Sequence, residues 1–93
     1  MLRTLSYIVY IVKSLKDGSF YIGQTSDLKR RINDHNNGKS KYTSSKTPWE
    51  LVYLELFDTR SEAFLRESFL KKQKKRSYIE RLIKDSRAGS SAG

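Results

Sequence analysis

The chain has 93 residues, 37% of them hydrophobic and 31% charged, with nineteen Lys and Arg against ten Asp and Glu for a net charge of +9. A chain this short is expected to form one domain with a small core, and with no cysteine any metal must sit on oxygen or on the single histidine. No apolar run approaches the roughly 20 residues of a membrane span, and Ser6–Lys13 lacks a cleavage-like site after it, so a cytoplasmic protein with no membrane partner is expected; the excess of positive charge favours a polyanion, because neutralised phosphates release condensed counterions.

Two runs rich in Tyr, Ile and Val, Ser6–Lys13 and Ser19–Gln24, flank Lys16-Asp17-Gly18, which predicts a β-hairpin. With Asp17-Gly18 as a two-residue loop, Ser14 faces Tyr21, and period-two alternation puts Tyr10, Val12 and Ser14 on one face with Tyr21 and Gly23. A three-residue loop would separate the two tyrosines. Thr25 or Ser26 can then cap a helix from about Asp27 to Asn36, with Asn37-Gly38 as its stop. Leu28 and Ile32 mark the apolar stripe of that helix, with Arg31 and His35 beside it on successive turns.

Lys39 to Lys46 reads as a basic loop carrying one aromatic, Tyr42, and Thr47-Pro48-Trp49 closes it. Glu50–Phe57 predicts a third strand, with Val52, Leu54 and Leu56 on one face and Leu51, Tyr53 and Phe57 on the other, as in a central strand covered on both sides. Thr59-Arg60-Ser61-Glu62 is a capping box opening a helix to about Lys72. A second box, Ser77 to Glu80, opens a last helix carrying Ile79, Leu82 and Ile83. Residues 1–84 are expected to form the single domain, and 85–93, rich in Ser, Gly and Ala, a flexible tail. The expected class is α+β: a small three-stranded, mainly antiparallel sheet flanked by helices, in the order β-β-α-β-α-α.

Several polar side chains fall where a small core would use apolar ones. Glu67 lies between Ala63, Phe64 and Leu70 on its helix, and a carboxylate buried there needs a partner or a metal; a salt bridge to Lys71 is the plainer alternative. Arg31 offers a planar fork for two phosphate oxygens, and a neutral histidine at His35 can relay a proton, although a basic helix of this kind is more often a solvated face. Tyr10 and Tyr21 are the kind of tyrosine that packs on a sheet, and Gly23 within a strand marks close approach of another group.

Taken together, Val9-Tyr10, Tyr21-Ile22-Gly23 with Gln24-Thr25, Asp27-Leu28 with Arg30-Arg31, His35, and Glu62-Ala63 leading to Glu67 and Lys71 resemble the GIY-YIG nuclease family. The resemblance runs from about Tyr7 to Ile83 and points to the small stand-alone members. Ile8 stands where the first block usually has Gly, and the late Asn of many larger relatives has no counterpart, since Asn33, Asn36 and Asn37 all precede Glu67.

The resemblance implies an endonuclease that hydrolyses DNA phosphodiester bonds with one Mg²⁺ (or Mn²⁺), in a setting such as repair or recombination. It makes Glu67 the metal ligand, Tyr10 the group that orients or deprotonates the attacking water, and Arg31 the phosphate clamp. Tyr21 would position phosphate or water, and His35 would assist proton transfer. Gly23, Lys39, Lys41, Lys71, Lys72, Lys74, Lys75 and Arg76 would contact the nucleic acid, recognising DNA structure rather than sequence. The alternatives are a binding module of the same fold with weak or no catalysis, which could act with a protein partner, and an RNA-associated protein whose tyrosines stack on bases.

Overall fold

A computed structural model of the chain describes residues 6–39 and 41–86, and the backbone of its last helix through Ala92. The elements run β1 (Tyr7–Ser14), β2 (Phe20–Thr25), α1 (Leu28–Asn36), β3 (Trp49–Phe57), α2 (Arg60–Lys71) and α3 (Arg76–Ala92), with a short 3-10 turn at Ser44–Lys46. The order is the expected β-β-α-β-α-α, and the three strands form an antiparallel sheet in the order β2-β1-β3.

The central strand is β1, not β3. Val9, Tyr10, Ile11 and Val12 are all fully buried, as a strand covered on both faces must be. Val9 and Ile11 pack with Ala63, Leu70 and Ile79 of α2 and α3. Tyr10 and Val12 pack with Trp49 and with Leu28 and Ile32 of α1. The apolar composition of β3 suggested the central place for it, yet β3 is an edge strand and its Leu54 and Leu56 are exposed. Strict alternation also fails in β3. Ile11 pairs with Tyr53 and Val12 with Leu51, so Val52 is an extra residue in a bulge, and it joins Tyr53 and Phe57 on the α2/α3 face while Leu51 joins the α1 face.

The hairpin departs from expectation in length and keeps its parity. Tyr10 pairs with Gly23 and Val12 with Tyr21, two residues out of the expected register, and the loop spans Leu15 to Gly18. Ser14 accounts for this. Its backbone N–H donates to Ser19 O at 2.8 Å and its carbonyl accepts from Gly18 N at 2.9 Å, while its buried hydroxyl accepts from the Lys16 and Asp17 amides at 3.1 and 3.2 Å and donates to Lys46 O at 2.7 Å. Gly18 sits at φ +79°, a conformation that favours glycine. A shift of two leaves every side chain on its original face, so Tyr10 and Tyr21 share one.

Of the three expected helix starts, the cap at Thr59 is found as expected, while α1 is capped by Asp27 instead of Thr25 or Ser26 and α3 begins before Ser77. Thr59 caps α2, its hydroxyl accepting from Glu62 N at 3.2 Å. In α1 the cap is Asp27, which accepts from Arg30 N at 3.2 Å, while Thr25 accepts from Asp27 N at 3.0 Å. The helix α3 starts before the expected cap Ser77, and Glu80 of that expected box pairs with Arg76 at 2.9 Å instead. It also continues past residue 84 to Ala92; once nucleated, a helix propagates through Ser and Ala without a new nucleation cost. Gly93 lies outside the described residues. On the other side of the sheet, Arg66 of α2 grips Glu55 of β3 through Nε and Nη2 at 2.9 to 3.2 Å, and Tyr53 donates to the same carboxylate.

Candidate active site

Tyr10 and Gly23 face each other across the β1–β2 ladder, and the pair explains why glycine stands there. A Cβ on Gly23 would lie 2.6 Å from the Tyr10 hydroxyl and 2.8 Å from Cζ, so the tyrosine ring occupies the space that any side chain would need. The ring thereby lies flat across β2 and delivers its hydroxyl to α1, where it hydrogen-bonds His35 Nε2 at 2.9 Å. His35 Nδ1 is in turn 2.9 Å from Thr43 Oγ1. All three residues are fully buried.

Arg31, one turn before His35 on α1, adjoins the Tyr10 and Tyr21 hydroxyls and is raised in pKa mainly through its hydrogen bond to Tyr10. Burial pushes the Tyr10 phenol up more strongly than Arg31 pulls it down, so Tyr10 is a neutral phenol at physiological pH. Burial, with Arg31 as a like charge, holds His35 below its ordinary 6.5, so the imidazole is neutral as well. Arg31 can only donate, which leaves the Tyr10 proton to His35 Nε2 and the Nδ1 hydrogen to Thr43 Oγ1.

The loop that supplies Thr43 is fastened from two sides. Trp49 Nε1 donates to Thr43 O at 2.9 Å. Asn36, the last residue of α1, accepts from Trp49 N at 2.6 Å and donates to Trp49 O at 3.2 Å. Tyr21 lies over this group, its ring centroid 5.0 Å from His35, 6.4 Å from Trp49 and 5.6 Å from Tyr42.

Glu67 approaches from the opposite helix layer. Its side chain is 15% exposed and bonds Lys71 Nζ at 2.8 Å, and its other oxygen accepts from Gln24 Nε2 at 3.2 Å. Gln24 follows Gly23 on β2 and links the carboxylate to the tyrosine layer. Glu67 is close enough to Tyr10 to raise its pKa.

Tyr10, Tyr21, Gly23, Arg31, His35 and Glu67 therefore meet at one place, although they come from four elements, β1, β2, α1 and α2, and both helix layers. The basic residues divide. Lys39 and Lys41 are exposed after α1, and Lys72, Lys74 and Lys75 are exposed at the α2–α3 junction. Arg76 is engaged within the fold: its guanidinium lies 4.3 Å from the Phe20 ring centroid and donates to Gly18 O at 2.6 Å and to Glu80. Gln24, which stands in the motif quoted above, bonds Glu67, while Asn36, Thr43 and Trp49 support the site and were not expected to. Trp49, the one tryptophan, next to the one proline, offered the only sequence signal among them.

A model of the GIY-YIG catalytic domain matches residues 6–81. The chain belongs to the GIY-YIG family. Among its relatives, it is 49% identical to UPF0213 protein SSP2268 of Staphylococcus saprophyticus over 77 residues, covering 78% of this chain and 93% of the relative. It is 43% identical over 83 residues to UPF0213 protein YazA of Bacillus subtilis, covering 85% and 83%. The solution NMR structure of UPF0213 protein BH0048 from Bacillus halodurans is similar at 39% identity with a TM-score of 0.55, covering 85% of this chain and 83% of that one. GIY-YIG domains are nuclease domains, so a nucleic acid is the class of substrate this membership indicates. Among the described residues, no helix is long and apolar enough to cross a membrane.

Proposed function

We propose that this GIY-YIG protein is a metal-dependent DNA endonuclease whose reacting groups are Tyr21, Arg31 and Glu67. One observation carries the reading: the buried line Tyr10–His35–Thr43, with Arg31 against Tyr10 and Tyr21 above. Apolar side chains would fill that volume at lower desolvation cost, so three buried polar groups holding one arginine and one tyrosine at a surface are explained by what they position.

Glu67 would hold a Mg²⁺ or Mn²⁺ ion, and its donor set fits one. Gln24 and Lys71 each engage one carboxylate oxygen, which leaves a lone pair on each, and no group of three or more His, Cys, Asp or Glu occurs among the described residues. A single carboxylate with retained waters suits a hard divalent cation. When bound, the ion would supply charge neutralisation at the scissile phosphate and at the leaving oxygen.

The chain's own groups do the rest. Arg31 donates two N–H groups to phosphate oxygens as charge develops on them. Tyr21, partly exposed beside Arg31, orients the attacking water. Tyr10 is fully buried, so we place it behind the reacting atoms: its oxygen aligns Arg31 while its proton is held by His35. The ion pair of Lys71 with Glu67 opens when phosphate competes for the ammonium. Lys39, Lys41, Lys72, Lys74 and Lys75 would contact the backbone outside the chemistry, weakening binding as salt rises.

The test incubates supercoiled, linear, branched and flapped DNA with wild type and Glu67→Ala, with and without a chelator. Wild type should cleave only with divalent metal, and Glu67→Ala should be inactive with DNA affinity equal or higher, because a carboxylate facing phosphates has been removed. Identical products from the two proteins across that set would sink the nuclease reading and leave a binding module.

A further inference from the structure

Tyr42 is absorbed by none of the roles above, and it is 68% exposed while its ring lies 5.6 Å from that of Tyr21. It stands at one wall of an open groove of about 470 Å³ lined by Phe20, Tyr21, Ile22, Lys71, Gln73 and Ile79 as well. Phe20 and Ile22 point to one face of β2 and Tyr21 to the other, so the groove crosses the free edge of that strand. One end is the Tyr21–Tyr42 pair, and the other is the close of α2, where Lys71 holds Glu67. The exposed ammonium groups of Lys39 and Lys41 lie just before Tyr42 in the chain.

We infer that this groove receives a single unpaired nucleobase next to the scissile phosphate, stacked on Tyr42. The inference rests on the proposed nuclease reading and names its substrate class: a polynucleotide with an unpaired nucleotide at the point of cleavage. The occupant follows from the chemistry of the walls. An exposed aromatic ring beside a second ring offers a π-face that any base can stack on. Lys71 and the lysines before Tyr42 supply positive charge for the phosphates that flank that base. A base inside an intact duplex has both faces covered and cannot reach a side-chain stack, so the groove discriminates by pairing state and not by sequence. Tyr42 needs no place in the core to do this, which accounts for a large aromatic residue left exposed in a polar, basic loop.

The test is made without divalent metal, so that it reads binding alone and its failure is distinct from a failure of catalysis. Oligonucleotides carrying 2-aminopurine are offered as a DNA single strand, a matched duplex, a duplex with one unpaired base, and an RNA single strand. Wild type should quench the unpaired fluorophore and bind both unpaired DNA forms more tightly than matched duplex. Tyr42→Ala should lose the quenching and roughly 5- to 150-fold of affinity for unpaired DNA, the range that stacking of one base on one ring covers, with duplex affinity and melting temperature unchanged. Tyr42→Trp should restore both signals. Equal losses on duplex and unpaired DNA, or quenching that survives Tyr42→Ala, would overturn the inference. Quenching confined to the RNA strand would overturn DNA as the source of the base.

Discussion

The two faces of β1 are built from different chemistry. Toward α2 and α3 it presents Val9 and Ile11 to Ala63, Leu70 and Ile79, an aliphatic layer. Toward α1 it presents Tyr10, Val12 and Ser14, and the layer there contains His35, Thr43 and Trp49 joined by hydrogen bonds. No described buried side-chain N or O atom lacks a partner, so the polar layer is fully satisfied, as a buried network must be if it is not to cost stability. One strand thus anchors the fold with its odd residues and positions the site with Tyr10. The lesson is that the aliphatic face should answer to mutation in stability, and the polar face in stability and chemistry together.

The largest stability effect that follows is on the aliphatic face. Ile11→Ala should destabilise by about 2–5 kcal/mol, since Ile11 is fully buried and its truncation leaves a cavity. Denaturant unfolding measures this, and cleavage by the fraction still folded should be near wild type. A loss of turnover much beyond the folded fraction would break the division between the faces.

Gly23→Ala comes next, at about 1–3 kcal/mol, because the new Cβ meets the Tyr10 ring, which is itself packed. Combining it with Tyr10→Ala should recover part of the loss, a coupling that a double-mutant cycle reads directly. Additive losses would show that the ring is not what glycine makes room for.

Tyr10→Phe keeps the ring over Gly23 and removes only the hydroxyl, leaving His35 Nε2 without its donor at a cost of about 1–3 kcal/mol. Arg31 loses its inner partner in the same step, so turnover should fall while substrate affinity changes less. A Tyr10→Phe protein with full activity would move Tyr10 from the site to the core.

The smallest effect is a pH dependence. The folded state holds His35 below its ordinary 6.5, so the unfolded chain binds the proton more readily, and the stability contributed by neutral His35 is present above that value and lost as pH falls through it. His35 is the chain's one histidine, which isolates the effect. Melting temperature should drop between about pH 7.5 and 5.5 in wild type and drop less in His35→Gln. Equal slopes in the two proteins would mean that the imidazole is not held neutral by its surroundings.

Much of this was legible locally. The Asp17-Gly18 turn signal, the cap at Thr59 and the stop at Asn37-Gly38 are short-range preferences of backbone and side chain, and each found its element. The shared face of Tyr10 and Tyr21 survived a two-residue error in register because alternation has period two. What escaped depended on distant partners. Nothing in the neighbourhood of Thr43 announces that it will meet His35, and the spacing of Arg31 and His35 fits a solvated helix as well as a buried relay. The central strand was misassigned because β1 and β3 are equally apolar, and strand order follows from which one the helices cover on both faces.

The sequence by itself determined the elements, their order and the residues that mark the family, because propensity, capping and hydrophobic period act over a few neighbours. Only the tertiary structure decided that Tyr10 is fully buried against His35, that Arg76 is folded onto Phe20, that Glu67 is shared between Gln24 and Lys71, and that Tyr42 is exposed at a groove beside Tyr21. Those outcomes turn on which side chains compete for the same space and the same hydrogen-bond partners once the layers close, and that competition exists only in the packed molecule.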